Sequence, residues 1–161
     1  MFAVKLIQLI EAHADKLADG LMHRLKNSPR CHELMQRVPH DEMQRRTHEI
    51  YRNLTEWLST KTEAEIEERY IGLGVRRARQ GVPFSDFMWA VISTKEYLWE
   101  YLQREGIMGE PVELWGELDL LHSLGRFFDC TLYYAAIGYA SVQNVRSGNA
   151  IAAGAVARKA S

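Results

Sequence analysis

The sequence predicts an all-α fold, and three observations lead to this prediction. Apolar residues recur at three- and four-residue steps along most of the 161 residues, only four residues are proline, and no stretch alternates like a strand. Hydrophobic residues make up 47% and charged residues 25%, as in an ordinary globular domain. We therefore expect one helical domain over residues 1–145 and a flexible alanine- and glycine-rich tail over 146–161.

The periodic segments predict a bundle of about five helices. The first starts near Ile7 and stops before Pro29, because proline disrupts a continuing helix. Asp41 and Thr62 each precede a glutamine or glutamate by three residues, and these capping boxes predict the starts of the second and third helices. Pro83 belongs in the first turn of the fourth, just after a glycine suited to a C-terminal cap.

The last helix is predicted to start at Pro111 and to reach about residue 145. Its roughly 35 residues span about 50 Å, which exceeds what a domain of this size needs for its own core. Residues 127–142 are apolar or aromatic nearly all round, so every face must be covered. We predict a homodimer through this helix, and burial inside one subunit is the alternative. The predicted contact residues are Phe128, Leu132, Ala135 and Tyr139.

Composition and charge argue against several functional classes. A net charge of −1 with a pI near 6.6 gives no overall attraction to nucleic acid or to an anionic membrane. Cys31 and Cys130 lack the spacing of a disulfide framework or a zinc site. The first residues lack the basic start of a secretory signal. We expect a cytoplasmic protein with neither a nucleic-acid partner nor a membrane partner.

The sequence offers no convincing catalytic or metal site. Asp119 and His122 have the carboxylate-x-x-histidine spacing of di-iron bundles, but such a site needs a second copy, which is absent. A solvated polar strip is the simpler interpretation. Cys31 beside His32 lacks a base placed in space, and no phosphate loop or glycine-framed serine occurs. We expect no enzyme activity, no metal and no cofactor.

Arg77 stands out because it lies on the apolar side of the third helix. On a helical wheel it falls between Tyr70 and Leu73, and an inward arginine requires a partner. We predict a ligand site formed by Arg77, Tyr70, Leu73 and Phe87, with the guanidinium binding an anion or the head of an amphipathic ligand. Two alternatives remain: Arg77 snorkels past the core edge, or it bonds carbonyls at the end of its own helix.

The junction between the third and fourth helices resembles a known family. The stretch GVRRARQGVPFSDF, from Gly74 to Phe87, is similar to the N-terminal domain of RsbR-type co-antagonist proteins, which are stress-signalling sensors. That family is similar in turn to the globin domains of globin-coupled sensors, in which a haem-ligating histidine lies four residues before the glycine of a like turn. Arg77 occupies that position, so the resemblance implies a globin-like bundle without haem. Only five helices are predicted, fewer than a complete globin has, so a plain helical bundle is the alternative.

The resemblance also implies a function. It points to a dimeric sensory or regulatory module in bacterial-type stress signalling, which acts on a separate downstream signalling protein or through its dimer state. Its ligand would be a small apolar or anionic molecule held between the third, fourth and fifth helices, with Arg77 at the mouth of the pocket. The alternative is a structural adaptor that docks another protein and binds no ligand.

Overall fold

The computed structural model describes residues 2–59, 62–104 and 114–160, with side chains over 4–59, 62–104 and 121–159. This part of the chain contains helices and no strand, which confirms the predicted all-α class. A 3-10 turn, Pro29–Cys31, precedes the third of seven α-helices. These are α1 (Phe2–Ala12), α2 (Ala14–Lys26), α3 (His32–Arg37), α4 (His40–Ser59), α5 (Glu63–Arg79), α6 (Phe84–Arg104) and α7 (Leu114–Ala160).

The predicted first helix is divided into α1 and α2. His13 leaves the helical conformation, at φ −119° and ψ 19°, and its ring packs 5.9 Å from the ring of Tyr101 in α6. A tertiary contact therefore accompanies the break, and periodicity alone could not reveal it. The predicted helix start at Pro111 lies outside the described residues.

Two of the predicted helix boundaries are confirmed by their capping geometry. Thr62 caps α5, and its backbone N–H donates to the Glu65 carboxylate at 3.0 Å. Gly81 follows α5 with a φ of 75°, a left-handed conformation that favours glycine. The helix start predicted at Asp41 differs from the structure. Helix α4 already begins at His40, so Asp41 lies within its first turn.

Helix α7 is longer than the sequence predicts. Its 47 residues extend about 70 Å, and residues 146–160, expected to form a flexible tail, continue the helix. Every side chain from 143 to 159 is exposed, so the bundle ends near Val142 and we call residues 143–159 the extension. Among the described helices, none is both long enough and apolar enough to cross a membrane.

Helices α5 and α7 approach each other closely enough that glycine is needed on both. A Cβ built on Gly74 would collide with the backbone carbonyl of Ala135. A Cβ built on Gly138 would collide with the carbonyl oxygen of Ile71 and lie 2.8 Å from the backbone nitrogen of Val75. Backbone atoms cannot swing aside as a flexible side chain can, so these two glycines fix the spacing of the two helices.

We expect Gly74→Ala to lower the free energy of unfolding by about 1–3 kcal/mol, because the added methyl group forces α5 and α7 apart. Gly72→Ala is the matched control in the same helix. A Cβ at Gly72 meets nothing within 4 Å, so alanine there should stabilise the protein by about 0.5–1 kcal/mol. Urea unfolding followed by circular dichroism measures both, and equal effects at the two positions would contradict this account of the crossing.

Candidate functional site

The four residues of the predicted ligand site line one cavity. Tyr70, Leu73 and Arg77 project from α5, and Phe87 projects from α6. The cavity measures about 80 Å³, which is several times smaller than the roughly 300–1,000 Å³ of pockets that enclose drug-sized ligands. Its remaining walls come from α2, α3, α4 and α6: Leu21, Leu25, Leu34, Met43, Arg46, Thr47, Ile50, Ala90, Val91 and Thr94.

The polar groups in the cavity wall already have partners inside the protein. The Thr94 hydroxyl donates to the Ala90 carbonyl at 2.8 Å, and the Thr47 hydroxyl donates to a carbonyl of its own helix at the same distance. The Tyr70 hydroxyl accepts a hydrogen bond from Asn53, and burial raises the pKa of Tyr70. The surface offered to a ligand is therefore largely apolar.

Arg77 points inward as predicted, but its partner is a carboxylate of the same chain. Only 2% of Arg77 is exposed, and its Nη1 donates to Glu42 Oε1 and to Gln80 Oε1, each at 2.7 Å. Glu42, in the first turn of α4, is 3% exposed. Arg77 is therefore paired with the Glu42 carboxylate inside the protein. Neither of the two sequence-based alternatives described this partner.

Arg76 completes this buried cluster from its outer side. Its guanidinium donates to both oxygens of Glu42, at 2.6 and 2.9 Å, in a bidentate pair. This hydrogen bonding, together with that from Arg77, outweighs the effect of burial and lowers the pKa of Glu42 from 4.5 to about 2. Burial lowers the pKa of Arg77, and the Glu42 carboxylate opposes that shift. The cluster joins α4 to the C-terminal end of α5.

Because the pKa of Glu42 is lowered by folding, its contribution to stability is complete above about pH 4.5 and is lost as the pH falls towards 2. We expect Glu42→Gln to cost about 3–5 kcal/mol at neutral pH, since Arg77 would stay buried without a carboxylate. The variant should also lose less stability than the wild type between pH 4.5 and pH 2.

Denaturant unfolding across this pH range measures both effects. Glu33→Gln is the control, because Glu33 forms an exposed pair with Arg37 one helical turn away, and such pairs contribute about 1 kcal/mol or less. A Glu42→Gln variant that behaves like Glu33→Gln would contradict the importance of the buried cluster.

The residues predicted for the dimer contact mostly face their own chain. Phe128 is buried beside Phe127, with ring centroids 5.2 Å apart, and Ala135 lies against Gly74. Tyr139 is buried, and Leu132 is half-buried against the core. Burial inside one subunit, the alternative considered above, therefore describes Phe128, Ala135 and Tyr139.

Tyr139 of α7 contacts Phe87, a residue that lines the cavity. Its ring lies 6.1 Å from the ring of Phe87, which lines the cavity, and 5.0 Å from that of Phe84. Its hydroxyl is buried without a hydrogen-bond partner, and burial raises the pKa of Tyr139. Phe87 therefore links the cavity wall to α7 through its contact with Tyr139.

The titratable side chains that drew attention in the sequence are not gathered into a metal site. Within the described part of the chain, no group of three or more histidine, cysteine, aspartate and glutamate residues could hold a metal ion. The side chain of Asp119 lies outside the described residues. Cys31 is fully buried, which raises the pKa of its thiol to about 11 and disfavours the reactive thiolate.

Comparison with known proteins gives one family match. Residues 12–150 match the family described as "RsbT co-antagonist protein rsbRD N-terminal domain". The match covers most of the chain and confirms the resemblance predicted from the stretch between Gly74 and Phe87. Searches of curated proteins and of solved structures gave no significant match.

Proposed function

The chain belongs to the family of rsbRD N-terminal domains of RsbT co-antagonist proteins, and on this basis we propose that it is a sensory module in stress signalling. The proposed module is a cytoplasmic, globin-like homodimer that acts on a separate signalling protein without catalysing a reaction. The family match over residues 12–150 is the observation that carries this proposal.

The geometry of the cavity supports a small apolar ligand. The cavity is apolar, and the guanidinium of Arg77 is already bonded to Glu42 and Gln80. An anionic ligand would have to displace a buried carboxylate, which is costly. The ligand we propose is therefore a small apolar molecule, and this replaces the anion considered from the sequence.

The residues present do not fit a haem group. The cavity of about 80 Å³ is too small for a macrocycle, because pockets for ligands of drug size or larger measure at least roughly 300 Å³. No histidine is found among the residues that line it in the described part of the chain. Arg77, at the position where the resemblance places a haem-ligating histidine, forms part of an ion-pair cluster instead.

The proposed signal passes from the cavity to α7. Phe87 lines the cavity and contacts Tyr139, so a ligand that moves Phe87 changes the packing of α7. A ligand shifts an equilibrium only when it binds two conformations with different affinity. Here the two conformations would differ in how α6 packs on α7, and α7 would carry the change to the dimer contact.

A structural adaptor is the second candidate, and the small size of the cavity favours it. A domain with a nearly filled core has little room to respond to a ligand. An adaptor would bind its protein partner through fixed surfaces. Its dimer affinity would then be independent of whatever occupies the cavity.

Xenon binds apolar cavities and is a suitable probe. We expect dissolved xenon to shift the methyl NMR signals of Leu73 and Val91, which line the cavity, and to change the dimer dissociation constant by about fivefold, the lower end of typical allosteric coupling. Ala90→Ile should abolish both effects because it fills the cavity. Analytical ultracentrifugation measures the dissociation constant.

Ala64→Ile is the matched control, since Ala64 is exposed on α5 and its substitution should leave both responses intact. Methyl shifts without a change in dimer affinity would favour the adaptor over the sensor. Shifts that persist in Ala90→Ile would contradict the assignment of the cavity as the ligand site.

A further inference from the structure

The apolar cavity opens to the surface between α4 and α5. Most of the residues that line it are buried, and the three that are half-buried are Arg46 and Ile50 of α4 and Leu73 of α5. Wall residues that are partly exposed mark the place where a cavity meets solvent. We call the surface formed by Arg46, Ile50 and Leu73 the mouth of the cavity.

A polar bridge between α4 and α5 lies on each side of the mouth. On one side, Arg77 of α5 donates to Glu42 of α4 at 2.7 Å. On the other side, the amide of Asn53 in α4 donates to the hydroxyl of Tyr70 in α5 at 3.1 Å. The mouth residues of α4 lie between Glu42 and Asn53 at three- and four-residue steps, and so on the same face of the helix. The two bridges therefore bound the opening.

The guanidinium of Arg46 is available to a ligand at the mouth. Its Nη1 donates to Glu49 Oε2 at 2.7 Å, and the two side chains are 34% and 39% exposed. Among the described residues Glu49 is the one hydrogen-bond partner of Arg46, whereas a guanidinium carries five N–H donors. Exposed ion pairs of this kind are weak. A carboxylate from a ligand can therefore replace or join Glu49 at little cost.

The charges around the cavity favour one further negative group. The carboxylate of Glu42 serves both Arg76 and Arg77, and Glu49 pairs with Arg46, so three arginines face two glutamates. Burial lowers the pKa of Arg77, and repulsion from Arg46 adds to this effect. An anion at Arg46 would offset that repulsion. The cost that excludes an anion at Arg77 does not arise at the mouth, because Glu49 is half-exposed and Glu42 is buried.

We propose that the ligand of the cavity is a short-chain carboxylate, with its apolar chain inside the cavity and its carboxylate on the guanidinium of Arg46. A planar guanidinium can bind a carboxylate through two parallel hydrogen bonds. The cavity of about 80 Å³ limits the chain to a few carbon atoms. This inference rests on the proposed function and adds a charged head group to its apolar ligand. The sequence placed Arg77 at the mouth, and the structure places Arg46 there.

Methyl NMR titration of the full chain with butanoate and with 1-butanol tests the proposal, because the two probes share a four-carbon chain and differ in the head group. The methyl signals of Leu73 and Val91 report binding, since both residues line the cavity. We expect Arg46→Gln to weaken butanoate binding about fivefold, as for the loss of a half-exposed ion pair. The same variant should change 1-butanol binding by less than about twofold and should still bind xenon.

Arg45→Gln is the matched control. Arg45 is an exposed arginine in the same helix and is not among the residues that line the cavity, so butanoate affinity should stay unchanged. Glu49→Gln removes the carboxylate that competes for Arg46 and should raise butanoate affinity about twofold. Equal weakening of butanoate and 1-butanol in Arg46→Gln would show that Arg46 acts through the shape of the mouth. That result, or equal loss of butanoate in Arg45→Gln, would overturn the proposal.

The three probes also separate this inference from the proposed function. Methyl shifts with xenon and 1-butanol but none with butanoate would overturn the carboxylate ligand and leave a small apolar ligand standing. The absence of shifts with all three probes would overturn both the carboxylate and the cavity as a ligand site.

Discussion

The close crossing of α5 and α7 is the constraint on which the rest of the structure depends. Gly74 and Gly138 allow the two backbones to touch, and this contact brings α7 against the helix that carries Tyr70, Leu73 and Arg77. The cavity wall and the long helix are thereby held against each other. Because packed helices shift between discrete arrangements rather than bending continuously, a small change at the cavity can be transmitted along α7.

The buried pair of Arg77 and Glu42 gives the domain a second fixed point. It joins α4 to the end of α5, and Phe87 follows only a few residues after the turn at Gly81. A buried ion pair is a weak source of stability compared with apolar packing, but breaking one partner is expensive. We interpret the pair as a positional constraint that keeps α4 and α5 in register beside the cavity.

The sequence predicted the features that depend on local chemistry. The capping of α5 by Thr62, the positive φ at Gly81 and the inward direction of Arg77 all follow from residues within one or two helical turns. The partner of Arg77 could not be predicted in this way, because Glu42 lies in the first turn of a helix, where a carboxylate is usual on electrostatic grounds alone. Its burial results from packing against residues far along the chain.

Local sequence also could not predict the break at His13 or the continuation of α7 beyond residue 145. Apolar periodicity identified the segments, but the break at His13 coincides with a contact to Tyr101 in α6. Beyond residue 145 the only large apolar residues are Ile151 and Val156, which are too few to show a helical repeat. Periodicity likewise predicted that 127–142 is covered on every side, but Tyr133 and Ile137 are 64% and 39% exposed. It could not distinguish cover by α5 and α6 from cover by a second chain.

In the proposed mechanism, occupancy of the cavity changes the packing of α7 through Phe87 and Tyr139. Amide hydrogen–deuterium exchange of the wild-type chain, measured with and without dissolved xenon, tests it most directly because exchange reports local opening residue by residue. We expect xenon to alter protection in α7 from Tyr139 into the extension as well as around the cavity. Changes confined to the helices that line the cavity, with α7 unaffected, would contradict it.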